Sequence, residues 1–442
     1  MRLMRALVVA TIAGILAAGC GDRSVEREDV GERPAGVAQA ASPVGRVALP
    51  RDLNLEVLWA TPIEAGRVTS AITFEDLAIV TTQSAVTVIR ARDGMVEWSQ
   101  SLGRKKIFAE WAPVVTEEAV HVFAENAVAR FDRIEGTRDW LLELPPYIVL
   151  STRPAVVGET VYTPTWDGRL YALEVKEKNE IIPLGETGEV VEIPRRWFSK
   201  AWEQNLEDSV LAPVVARGGF LYAGTDGGLL VATPQIGPRA AFTRGSYRLD
   251  LGGRLRSALC LREDHIYAGS SNYSLYGVHR YTGDKLWEFF SGREILRRPL
   301  ADEKSGLVYA VSEDVGLNAV SADKGVKAWS VPEGREIVGY GVEVVYVFDK
   351  AGALLALDKK TGKTRWRSSL SGMQLYPCQE QFEFGGKPLR LMAVNSANQA
   401  ICLVEPGWRP PKVAAESKPD LIFAPKPAAG KAAPAPKEAP KP

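Results

Sequence analysis

The chain is poor in the residues that build chemical sites. Among 442 residues there are 4 Cys and 3 His, and no two Cys are adjacent. Zinc sites need Cys and His clustered at short spacings, and His121, His265 and His279 show none. No metal or catalytic constellation is expected. Beyond Cys20 the cysteines are an odd three, Cys260, Cys378 and Cys402, which argues against a disulfide framework. Lys and Arg number 54 against 54 Asp and Glu, so the basic imbalance of a nucleic-acid-binding protein is missing. The apolar run Ala6 to Ala18 is too short to span a bilayer.

What the chain does have is a repeat. Five stretches fit one 22-residue frame without a gap, with Gly at the eighteenth position and Trp at the last. The clearest is VYVFDKAGALLALDKKTGKTRW, residues 345 to 366, with Gly362 and Trp366. Its siblings carry Gly94 and Trp98, Gly136 and Trp140, Gly283 and Trp287, and Gly325 and Trp329. Each frame reads as strand, turn, strand, turn, strand. The second turn calls for glycine because a tight hairpin needs positive φ there. The Trp is too large for one thin sheet and is expected to wedge against the next blade. A further apolar run upstream of each frame supplies a fourth strand. Four antiparallel strands about every 40 residues indicate an all-β fold, the β-propeller.

Two repeats are irregular. Blade three runs to Trp202 through a long interruption, Lys176 to Lys200, and blade four has no Trp and substitutes Tyr247. Residues 373 to 407 supply three strands and no fourth, while Leu53 to Glu64 form an orphan strand with a repeat-like Trp59. The count is therefore eight blades, with the N-terminal strand closing the ring and removing open sheet edges. Seven blades is the alternative. Cys378 and Cys402 fall on strands separated by a third, about 9 to 10 Å apart by sheet spacing, too far to bridge. All three thiols read as small buried hydrophobes. His121 takes the strand position held elsewhere by Tyr267, Tyr309 and Tyr346, a structural role.

The termini set the compartment. Arg2 and Arg5 before the short apolar run suit a secretory signal. It ends Leu16-Ala-Ala-Gly-Cys20, which resembles the bacterial lipobox, whose Cys is lipidated and begins the mature chain; the favoured Leu sits one place further upstream. An ordinary signal peptide cut near Ala18 is the competing reading. Gly21 rather than Asp after the Cys implies, by the sorting rule, an outer-membrane lipoprotein facing the periplasm. The organisation is thus signal and lipobox over residues 1–20, a tether over 21–52, the propeller over 53–407, and a Pro/Ala/Lys-rich disordered tail over 408–442.

ALLALDKKTGKTRW and SLYGVHRYTGDKLW resemble the pyrroloquinoline-quinone-like (PQQ-like) propeller repeat, an apolar run, Asp, Thr-Gly and a Trp four residues on. An eight-bladed ring of this repeat behind a lipobox is similar to the BamB family of outer-membrane assembly lipoproteins. That resemblance implies a non-enzymatic scaffold for protein-protein interaction, monomeric by itself, whose partner is a membrane or periplasmic protein such as a β-barrel assembly component. PQQ-dependent dehydrogenases share the repeat, but most also carry an adjacent-cysteine disulfide and calcium ligands that find no match here, so PQQ is not expected. A propeller that senses a small anion in its channel is a third class.

Two features mark candidate partner-binding residues. Gly-Arg recurs where blades join, giving Arg67, Arg104, Arg254, Arg293 and Arg335 on one face, with Arg256 nearby. The turns holding Asp167, Asp226, Asp314 and Asp349 share that face. Either each Arg pairs with a neighbouring Asp and staples blades, or the arginines form a collar for an acidic partner. As aligned to the BamB family, which presents an Arg at the start of blade four and acidic residues at the start of blade five, the charges here are inverted: Asp208, then Arg254 and Arg256. The second feature is the blade-three insertion on the opposite face. Its Arg195, Arg196, Trp197 and Phe198 have the composition of an interface hot spot, or else the aromatics pack under their own loop.

Overall fold

A computed structural model describes Val47 and residues 49–102, 111–184, 189–238, 245–383 and 389–409. Cys20, Arg104, most of the tether and nearly all of the tail lie outside the described residues.

The described chain forms eight four-stranded antiparallel sheets, each a blade. Seven are consecutive in sequence, from Val68–Phe74 at the inner edge of blade one to Thr364–Ser368 at the outer edge of blade seven. The eighth combines Met373–Tyr376, Leu391–Asn395 and Gln399–Val404 with the N-terminal strand Glu56–Pro62, which pairs with Gln399–Val404 as the outermost strand. The ring is closed as the orphan strand implied. Val47, Leu49, Leu53 and Leu55 already pack into the core shared by blades seven and eight.

Burial follows the architecture. The middle strands are sandwiched between neighbouring blades, so Val344–Asp349 and Leu354–Asp358 are buried along nearly their whole length. The outer strands bury little beyond the Trp: in Lys285–Phe290 only Trp287 is buried. That Trp is aimed by a β-bulge. The register shifts beside the residue opposite Trp98, Trp140, Trp202, Trp287, Trp329 and Trp366 alike, and a bulge twists the strand and redirects a side chain.

Trp59, Trp98, Trp202, Trp287 and Trp329 land on the next blade's glycine turn, whereas Trp140 packs edge-on against Phe198 of blade three. A Cβ added to Gly94 would lie 2.7 Å from Trp59, to Gly325 2.7 Å from Trp287, and to Gly362 2.6 Å from Trp329. Gly136 abuts Trp98 in the same way. All four, and Gly283, have φ between +67 and +78°, so both the backbone and the close approach require glycine. Tyr247 replaces the missing Trp of blade four, lying 2.6 Å from the Cβ position of Gly283. The indole nitrogens also donate to backbone carbonyls there: Trp98 to Arg133, Trp202 to Gln235, Trp287 to Ala322 and Trp329 to Lys359, at 2.8 to 3.0 Å.

Two elements depart from the sequence expectation. The blade-three interruption is a long β-hairpin, Arg169–Leu184 paired with Glu189–Asn205, a ribbon that continues the blade outward. Blade eight contains a short helix, Gln379–Glu383, that leans inward and packs on the inner strands of blades one, five, six and seven. Cys260, Cys378 and Cys402 are free and buried, and burial pushes the Cys402 thiol up to about 12.

Candidate docking surface

The inner strands start on one face of the ring, and that face carries both the blade joins and the turns between second and third strands. Arg67, Arg254, Arg256, Arg293 and Arg335 are all exposed there. The two readings of these arginines divide between them. Arg256 grips Asp226 with two hydrogen bonds, 2.6 and 3.2 Å, and holds its carboxyl below the usual aspartate range. Arg254 stands 3.9 Å from the same carboxylate. Elsewhere the stapling Asp has another partner: Asp349 pairs with Arg367 at 2.7 Å and Asp167 with Arg169 at 3.3 Å. Arg67, Arg293 and Arg335 are held by no ion pair among the described residues.

The charge inversion at blades four and five has a local geometry. The Asp208 carboxylate lies against Gly227, in the turn that also carries Asp226, so Asp208 and the Arg254/Arg256 pair flank one turn. Arg67 and Arg335 flank blade eight on its two sides. Arg67 lines a 980 Å³ depression between blades eight and one, and Arg335 a 320 Å³ depression between blades seven and eight. Met373 and Gln374 border both.

Aromatic residues complete this face, and the sequence reading missed them. Trp166 is 56% exposed in the blade-three turn and Phe290 68% exposed at the end of blade five's outer strand. Tyr273 meets Phe290 edge-on at 6.3 Å and has φ +72°, a region a bulky side chain seldom adopts. The available signal was an aromatic in a turn where blade seven has Asp-Lys-Ala-Gly. Large exposed aromatics and arginines are enriched at interface centres.

On the opposite face the hairpin splits its Arg-Arg-Trp-Phe cluster. Phe198 is buried, edge-on to Trp140 at 5.8 Å. Arg196 is tied down by Glu177 at 2.6 Å and by the carbonyl of Asp139 at 2.6 Å. The alternation of the strand leaves Arg195 and Trp197 outward; Trp197 is 43% exposed and Arg195 reaches Glu180 at 3.5 Å. Half of the cluster therefore fastens the ribbon to blade two and half remains available.

Eight four-stranded blades, six of their junctions bolted by an aromatic ring on a glycine turn, define a β-propeller of the PQQ-like repeat. The chain belongs to the family of outer membrane protein assembly factor BamB, whose profile matches residues 45–182 and 186–376. Its fold is similar to that of BamB from Moraxella catarrhalis, at 14% identity and a TM-score of 0.59 over 80% of this chain and 99% of that one. It is also similar to the computationally designed Ika8 protein, at 12% identity and a TM-score of 0.55 over 79% of this chain and 99% of that one. No curated protein matches the chain in sequence.

Proposed function

We propose that the chain is a lipid-anchored periplasmic scaffold of the outer membrane that docks a protein of the β-barrel assembly apparatus through its arginine face. The observation that carries the reading is the BamB family match through both halves of the ring. Its role is to hold a partner rather than to transform a substrate. The lipobox Cys20 supports the anchor, and Arg67, Arg293 and Arg335, which no ion pair holds among the described residues, with Trp166, Tyr273 and Phe290 support the choice of face. Because Asp208 and Arg254/Arg256 invert the family's charges, the partner's complementary segment must be inverted as well, acidic opposite blade five.

Little supports the quinoprotein alternative. The three cysteines are free and non-adjacent, and no three His, Cys, Asp or Glu side chains converge among the described residues.

Chemical crosslinking in intact cells followed by affinity capture from membranes tests the proposal. A barrel-assembly protein should be enriched with the wild-type chain. Enrichment of soluble periplasmic proteins alone would refute it.

A further inference from the structure

Two equivalent joints of the ring hold a buried cation, and only one of the two supplies its counterion. Lys359 in blade seven and Arg280 in blade five occupy the same place in the repeat, three residues ahead of the turn glycines Gly362 and Gly283. Lys359 reaches back to blade six and meets Asp302, the last residue of the inner strand Leu300–Asp302, at 2.6 Å. Both side chains are buried, and their charges cancel. Arg280 reaches back to blade four in the same way, its Nη1 3.8 Å from where a Cβ on Gly218 would stand. The inner strand there is Val215–Arg217, and Arg217 holds the register of Asp302. It pairs with Phe220, two residues before Tyr222, as Asp302 pairs with Leu307, two residues before Tyr309. Where blade six offers a carboxylate, blade four offers a second cation.

Arg280 is 4% exposed, yet its Nε and Nη1 find no hydrogen-bond partner. Its Nη2 donates to the hydroxyl of Tyr281, whose ring covers the guanidinium at 4.4 Å. The hydroxyl of Tyr247, the ring that replaces the repeat Trp at this joint, is also buried without a partner. Burial, then the neighbouring Tyr222, raises the Tyr247 pKa, and Arg280 opposes them, so this hydroxyl stays a donor within the field of the guanidinium. Arg217 feels the same charge: burial first, then Arg280 and Arg262, pull its pKa down, and Glu303 and Glu263 offset that less. A buried cation with neither counterion nor hydrogen bonds is strongly unfavourable. Gly218 and Gly219, which turn the chain after Arg217, are exposed, so no side chain of that turn closes the approach to Nη1.

We propose that the joint of blades four and five binds a small oxyanion of the phosphate class, which takes the place of the carboxylate that Asp302 supplies at the joint of blades six and seven. Its oxygens accept from the free nitrogens of Arg280 and from the Tyr247 hydroxyl, and Arg217 adds a second positive charge nearby. A tetrahedral anion of higher charge suits these groups better than a monovalent carboxylate. The site lies on the face opposite the arginine face and does not depend on a partner protein.

Calorimetric titration of the full chain with inorganic phosphate, and in parallel with acetate, tests it. One phosphate should bind per chain, more tightly than acetate, and should raise the thermal midpoint by mass action. Arg280→Gln should weaken phosphate at least about tenfold, the loss expected for a charge-assisted contact. Arg217→Asp places a carboxylate in the register of Asp302. It should weaken phosphate to a similar degree and, in phosphate-free buffer, raise the urea midpoint above that of wild type. No saturable phosphate binding, acetate binding as tightly as phosphate, or phosphate affinity unchanged in Arg280→Gln or Arg217→Asp would overturn the proposal. Thermal melting monitors the fold of each variant, and the Arg217→Asp comparison stands even where Arg280→Gln fails to fold.

Discussion

The indole nitrogen of Trp59 donates to the backbone oxygen of Ala91, 2.7 Å away, across the seam where the last blade meets the first. Trp59 sits on the N-terminal strand, which pairs with Gln399–Val404 in blade eight, and Ala91 in the turn between the third and fourth strands of blade one, so this contact fastens the closing strand to the neighbouring blade. The side chain is 2% exposed and opposite Cys402 in the strand pair.

Trp59 is the buried aromatic anchor of the closing strand. Trp59→Ala should destabilise the fold by about 3–5 kcal/mol, the usual range for truncating a buried Trp. Deletion of residues 53–64 should do more, since it also exposes the edge of Gln399–Val404 to aggregation. Urea denaturation and light scattering check both. Unchanged midpoints after the deletion would contradict closure by this strand.

Turn glycines differ in why they are required. Gly94 and Gly352 share a φ near +80°, but a Cβ at Gly94 would strike Trp59 while nothing lies within 4 Å at Gly352. Gly352→Ala should cost about 1–2 kcal/mol from backbone strain alone. Gly94→Ala should cost about 1–3 kcal/mol more, the penalty for overpacking. The difference in urea midpoints between the two variants isolates the inter-blade contact.

His121 gives the ring an acid limit. It is 1% exposed in blade two, and burial, then the nearby Arg130, lowers its pKa to about 4. A histidine whose pKa falls on folding binds fewer protons folded than unfolded. Its contribution is intact above the unfolded value near 6.5 and is lost as pH drops toward 4, levelling at about 3 kcal/mol. His121→Tyr, the residue of the equivalent strand in blades five to seven, should flatten stability against pH between about 6.5 and 4 relative to wild type. Denaturation series at stepped pH would show parallel curves if His121 were not the group responsible.

Asp302 and Lys359 form a buried pair between blades six and seven, 2.6 Å apart, with the ammonium also 4.5 Å from the centre of the Tyr340 ring. Removing one partner leaves the other charge stranded. Asp302→Ala should cost about 3–5 kcal/mol. The double variant Asp302→Leu with Lys359→Met should recover most of that loss, since an apolar pair of similar volume is near neutral. A double-mutant cycle on urea midpoints measures the coupling, and additive losses would show that the pair does not act as a unit.

The frame made most of this fold legible before any coordinates. Gly at one position and Trp four later placed the turns, the outer strands and the bolt between blades, and the orphan Trp59 announced the closing strand. Tyr247 could be recognised because an aromatic was owed at that place. The hairpin of blade three was not legible, because its polar, charged strands lack the apolar alternation that marks a half-buried strand; pairing with each other, rather than burial, holds them. The helix Gln379–Glu383 was hidden for another reason. Five residues cannot show a 3.6-residue period, and its polar side chains are buried only because the channel of a complete ring receives them. Trp166, Tyr273 and Phe290 were overlooked because the frame directs attention to conforming positions, whereas an aromatic in a solvent-facing turn is informative by breaking it.

The proposed scaffold role turns on which face of the ring receives a partner, the arginine face or the opposite one. Photo-crosslinking residues placed singly at Tyr273, Arg293 and Arg335, and at Lys304, Val342 and Trp197 on the other face, test it in intact envelopes. The expected result is crosslinks to a barrel-assembly protein from the first three positions, abolished by Arg254→Glu with Arg256→Glu. Crosslinks from Trp197 or Val342 with none from Tyr273, Arg293 or Arg335 would contradict it.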